Sequence, residues 1–83
     1  MIKLTLLTRN GCHLCDEMKA LIRRVQRAYD LILEEIDVDA RPELKQTLGN
    51  EVPVILCGTA VVARHRITEA QLAAAIRKYP TSQ

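Results

Sequence analysis

Ile2, Leu4, Leu6 and Leu7 alternate loosely with Lys3, Thr5 and Thr8, and the run stops at Arg9, Asn10 and Gly11, which favour a loop. A buried strand over 2–8 is predicted. From Met18 the apolar positions recur at Leu21, Ile22, Val25 and Tyr29, three and four apart, while Lys19, Arg23, Arg24, Gln26 and Arg27 take the other side. That spacing predicts an amphipathic helix of about four turns, starting near Cys12 to Cys15. "LILEEIDVD" then has strand composition, but Glu34, Glu35 and Asp37 suit a sheet edge better than its centre.

Asp39 is expected to cap a short helix with Pro42 in its first turn and Gly49 and Asn50 at its end. "VPVILCG" and "AVVA" predict two strands joined by a tight turn at Gly58 and Thr59. Thr68 and Gln71 have capping-box spacing, and Leu72, Ile76 and Tyr79 form the apolar stripe of a last helix ended by Pro80. The order strand, helix, strand, helix, strand, strand, helix implies an opening βαβ unit with a right-handed crossover and a closing antiparallel hairpin, all in one α/β sheet. With no internal repeat or linker, one domain over 1–83 is expected.

Composition narrows the function. The chain has 83 residues, 48% of them hydrophobic, which suits a small globular domain. Trp and Phe are absent, the aromatics are Tyr29 and Tyr79, and the net charge is +2, so neither a base-stacking platform nor a phosphate-binding footprint is present. Nucleic acid is not an expected partner. "MIKLTLL" is too short for a signal peptide, and no apolar run approaches the roughly 20 residues that span a bilayer, so a soluble cytoplasmic monomer is expected. Three cysteines is an odd number, unlike the even, dense sets of small secreted scaffolds. The thiols are therefore read as reactive or metal-binding rather than structural.

Cys12 and Cys15 sit in "TRNGCHLCDEM", where the strand gives way to the helix. A free thiol with a pKa of about 8.5 is mostly protonated at neutral pH, but the unpaired N–H groups and the positive end of the macrodipole at a helix start favour the anion. Arg9 and a protonated His13 would add positive charge, while Asp16 and Glu17 oppose it. Cys15, one turn on, is placed to attack a mixed disulfide formed at Cys12 and release the reduced substrate. Such a pair moves two electrons without a bound cofactor.

"CHLC" after the first strand, "EIDVDA" at the second, "VPV" before the third and a glycine turn after it together resemble the glutaredoxins, and more closely the small glutaredoxin-like proteins of the thioredoxin superfamily. The resemblance implies a thioredoxin-like βαβαββα fold, a four-stranded mixed sheet with helices on both faces, and thiol-disulfide oxidoreductase activity with Cys12 attacking and Cys15 resolving. It also implies a cis Val52-Pro53 bond beside the cysteines. A proline at the start of a strand leaves the preceding backbone free to pair with an extended substrate, so Val52 and Pro53 are assigned to the substrate groove.

The pattern departs from glutaredoxins in two places: His13 and Leu14 stand between the cysteines in place of proline and an aromatic, and "ARHRITEA" stands where a Gly-Gly-Cys-Asp-type segment holds glutathione. Arg9 matches the family's basic residue three before the first cysteine, which contacts a glutathione carboxylate. The helix start at Thr68, with Arg64 or Arg66, offers a second anion contact. Substrate-binding candidates are thus Arg9, His13, Val52, Pro53 and Thr68; the expected partners are protein or small disulfides, with glutathione or a thioredoxin reductase as electron donor.

Two other readings stay open. A metal or iron-sulfur carrier would draw on Cys12, Cys15, His13 and Cys57 or His65, yet a structural zinc site asks for four ligands and no second C-x-x-C is present, so no metal ligand is assigned. A cluster bridged between two chains, or a non-catalytic binding module using the groove beside Pro53, would serve the same residues differently. Cys57, in an apolar strand, is read as a small buried hydrophobe, and the exposed arginines of the first helix as a solvated face.

Overall fold

The computed structural model describes residues 2–78. Strand β1 (Ile2–Thr8) leads into helix α1 (His13–Gln26), strand β2 (Leu31–Asp37), a 3₁₀ turn over Val38–Ala40 and helix α2 (Pro42–Leu48). A second 3₁₀ turn over Gly49–Glu51 precedes strands β3 (Val54–Cys57) and β4 (Ala60–Arg64) and helix α3 (Glu69–Lys78). The sheet order is β2-β1-β3-β4. β1 and β2 run parallel, with Ile2 opposite Leu31 and Thr8 opposite Asp37, while β3 is antiparallel to both β1 and β4. The acidic strand does lie at an edge, where its carboxylates reach solvent and meet Lys3 and Lys19.

Side-chain alternation along the strands builds two cores. On one face Leu4 and Leu6 of β1 and Ile55 of β3 pack against Met18, Ile22 and Val25 of α1 and Leu72 and Ile76 of α3. On the other, Leu7 and Val54 pack with Val38, and Leu44 and Leu48 of α2 close over them. Helices therefore cover both faces of a four-stranded mixed sheet, and the fold is thioredoxin-like. No helix of the described residues is long and apolar enough to cross a membrane.

β4 carries one extra residue: Ile55 lies opposite Ala63 but Leu56 opposite Val61, so Val62 is bulged out of register. Val62 and Ala63 then both pack toward α1 and α3. The hairpin turns at Gly58, whose φ of +63° is a conformation that side chains rarely adopt.

The expected capping box forms at α3, with Gln71 N–H donating to Thr68 Oγ1 and Thr68 N–H to Gln71 Oε1, both at 3.0 Å. The expected cap at Asp39 does not. The 3₁₀ turn intervenes between β2 and α2, Asp37 accepts from Asp39 N–H at 2.9 Å, and α2 begins at Pro42 with Arg41 as its cap residue and no side-chain cap. Drawn inside that turn, the Asp39 carboxylate meets Arg9 instead. Tyr79 and Pro80, expected to finish the last helix, lie outside the described residues.

Candidate active site

The centre of the site is the step from β1 to α1. Cys12 N–H donates to the Arg9 carbonyl at 3.2 Å, closing a turn in which Gly11 takes a φ of +75°, the positive value that the third position of a type II turn requires. The turn sets Cys12 as the cap residue of α1, one position earlier than the first turn expected of it. Cys15 N–H donates to Cys12 Sγ at 3.0 Å, so sulfur fills the role usually taken by a serine or aspartate oxygen. The sulfur thus faces the positive end of the α1 dipole.

Cys12 and Cys15 form a disulfide, their Cα atoms 5.2 Å apart. The two sulfurs differ in access: Cys12 is half-buried, whereas Cys15 is only 3% exposed beneath the first turn of α1. Cys57 is the free cysteine among the described residues; it packs against the α1/α3 core, as expected of its apolar strand, but is half-buried rather than buried.

Around this pair the sequence candidates divide. Val52-Pro53 is cis, Pro53 is buried and Val52 is half-buried. The Pro53 carbonyl accepts from His65 N–H at 2.8 Å, which ties the segment before β3 to the end of β4. His65 adopts a φ of +64° to make that bond. His13 is exposed and pairs with Glu17 one turn along the helix at 3.2 Å.

Arg9 and Thr68 are engaged within the fold. The Arg9 guanidinium grips both Asp39 oxygens, at 3.0 and 3.3 Å, and donates to the Gly49 carbonyl at 3.3 Å. This hydrogen bond, with the Arg9 and Lys45 charges, holds the Asp39 carboxyl below its ordinary range. Thr68 has both its N–H and its hydroxyl committed to Gln71.

Sequence reasoning missed two surroundings of the cysteines. A polar cavity of about 190 Å³ adjoins Cys15, lined also by Asp16, Lys19 and Glu35, and the Lys19–Glu35 ion pair at 3.1 Å bridges α1 to β2. A larger groove of about 370 Å³ runs from Leu14, between the cysteines, to Ile67 and Thr68 at the start of α3. The apolar spacing of α1 gave a signal for neither, since Met18 and Leu21 read as core. Among the described residues no three His, Cys, Asp or Glu side chains converge in an arrangement suited to a metal ion.

A half-exposed sulfur at a helix start, a buried partner a turn behind and a cis proline nearby form an arrangement suited to dithiol-disulfide exchange. The model of the glutaredoxin-like domain (DUF836) matches residues 3–77. A structural-genomics target protein from X. campestris superposes with a TM-score of 0.78 at 26% identity, over 93% of this chain and 99% of that one. Protein Ne2328 from Nitrosomonas europaea gives a TM-score of 0.78 at 29% identity over 88% of each chain. Thioredoxin 1 from Thermosipho africanus shares the fold, with a TM-score of 0.67 at 23% identity over 94% of this chain and 93% of its own. No curated protein matches significantly. The chain belongs to the glutaredoxin-like domain (DUF836) family and shares the thioredoxin fold, and its C-x-x-C pair supports a redox-type function.

Proposed function

We propose that the protein is a thiol-disulfide oxidoreductase acting on protein or small disulfides as a cytoplasmic monomer. The observation that carries this reading is the unequal pair: Cys12 half-buried at the cap of α1, and Cys15 buried behind it within disulfide reach. In the reduced protein the Cys12 thiolate attacks one sulfur of a substrate disulfide, forming a mixed disulfide and expelling the first substrate thiolate. Cys15 gives its proton to water and attacks Cys12 Sγ. The Cys12–Cys15 bond forms, the mixed disulfide breaks, and the second substrate thiolate leaves; both thiolates then take protons from solvent. Two electrons have passed from the dithiol to the substrate, and an external thiol donor, glutathione or a thioredoxin reductase, restores the dithiol.

Val52 and Pro53 support the same reading. Val52, half-buried just ahead of β3 and joined to Pro53 by a cis bond, lies on a short extended stretch along which a substrate can align. His13, exposed beside Cys12, is placed to touch an incoming substrate. The test is kinetic and chemical together. Cys12→Ser should abolish reduction of a model disulfide by the dithiol form, and Cys15→Ser should accumulate a mixed disulfide visible by mass. Full activity in both variants would refute the mechanism.

A further inference from the structure

We infer that the groove between α1 and the start of α3 is a specificity pocket for protein disulfides, taking an apolar side chain next to the substrate's reactive cysteine and a carboxylate beyond it; this rests on the exchange reading above. Position is the first argument. Leu14, half-buried between the two cysteines, forms one end of the groove, so a chain bonded to Cys12 has its neighbouring residues at the entrance. The lining is the second. Leu14 and Ile67, both half-buried, supply the apolar surface of an open groove of about 370 Å³; Met18 and Leu21 also line it but are already buried in the core, and Glu17, Arg24, Arg66 and Gln71 make up much of the rest.

Charge sets what lies beyond the apolar side chain. Arg66 is exposed and its one ion pair among the described residues, with Glu17, is long at 3.9 Å with both side chains largely in solvent, so its guanidinium is available to a carboxylate. Arg24 on the opposite rim is already tied to Glu69 at 3.2 Å. The free donors of an α3 helix start, which would suit an amino-acid-like head group, are reduced by the capping box that consumes Thr68 N–H and Gln71 N–H. Glutathione, a tripeptide of glutamate, cysteine and glycine, has no apolar side chain to cover the half-buried Leu14 and Ile67. A protein segment supplies one, and burying it is what discriminates between substrates.

The experiment uses chromogenic disulfides of three peptides, Ser-Cys-Leu-Glu, Ser-Cys-Ser-Glu and Ser-Cys-Leu-Lys, each joined through its cysteine to an aromatic thiol. The expected result is a kcat/KM for the Leu-Glu peptide roughly tenfold above the Ser-Glu peptide, the selectivity that one buried apolar side chain gives. Ile67→Asn should erase that preference, and Arg66→Glu, an exposed change, should invert the order of the Leu-Glu and Leu-Lys peptides. Equal rates for all three peptides in an active protein overturn the proposal. Should no peptide be reduced at all, the exchange reading fails separately, and the pocket is judged by binding. The Leu-Glu peptide with serine for cysteine should then shift the NMR signals of Leu14, Met18 and Ile67, where the Ser-Glu peptide does not. Absence of those shifts also overturns it.

Discussion

Arg9 and Asp39, thirty residues apart, are joined by two hydrogen bonds that fasten the turn carrying Cys12 to the segment after β2. The pair lowers the Asp39 pKa, which fixes the sign of its linkage to folding. An aspartate held more acidic in the folded state stabilises it above the ordinary carboxylate range, near pH 4, and that contribution is lost as pH falls through the lowered value. Asp39→Asn should therefore unfold at lower urea than the parent at pH 7, with the gap closing as the pH falls below the ordinary carboxylate range. A gap that persists unchanged in acid would show that the pair does not act through charge.

Access to the sulfurs predicts an order of modification. In the reduced protein iodoacetamide should label Cys12 first and spare Cys15, which is 3% exposed. Oxidation to the disulfide should protect both and leave Cys57 as the slow site. Peptide mass mapping reads all three directly.

His65 holds a φ of +64°, which costs a residue with a Cβ roughly 1–2 kcal/mol, and its N–H still reaches the Pro53 carbonyl. His65→Gly keeps that bond and removes the steric cost, offset by the larger entropy of glycine in the unfolded chain. The net expectation is a stabilisation of about 0.5–1 kcal/mol, read from urea midpoints. A destabilised variant would mean that the imidazole itself contributes to folding.

Thr68→Ala removes one half of the α3 capping box and strands the Gln71 N–H. A cost of about 1 kcal/mol is expected, with Thr68→Ser restoring most of it. Comparing the two variants by thermal melting separates the hydroxyl from the methyl.

These tests also show where the sequence was readable. β1 and α1 were legible because their apolar periods are clean, and α3 because Thr68 and Gln71 declare its start. The cysteine pair was legible for the same reason, since a strand running into a helix places its loop at the helix start. Asp39 was misread because capping preference is a local rule, and a distant arginine competed for its carboxylate. The Leu14–Ile67 groove and the Lys19–Glu35 pair join residues far apart in the chain, so no local pattern marks them. Nor does anything in "ARHRIT" announce that a histidine takes a left-handed conformation where glycine would be expected.

The bulge at Val62 bears on how the molecule survives in company. β4 is an outer strand of largely apolar residues, and a flat ribbon of that composition would recruit identical ribbons from other copies into an aggregate. One surplus residue turns Val62 and Ala63 together toward the helices and breaks the regular spacing of free amide groups along the rim. The hairpin can thus leave its backbone bare to solvent without becoming a template for self-stacking.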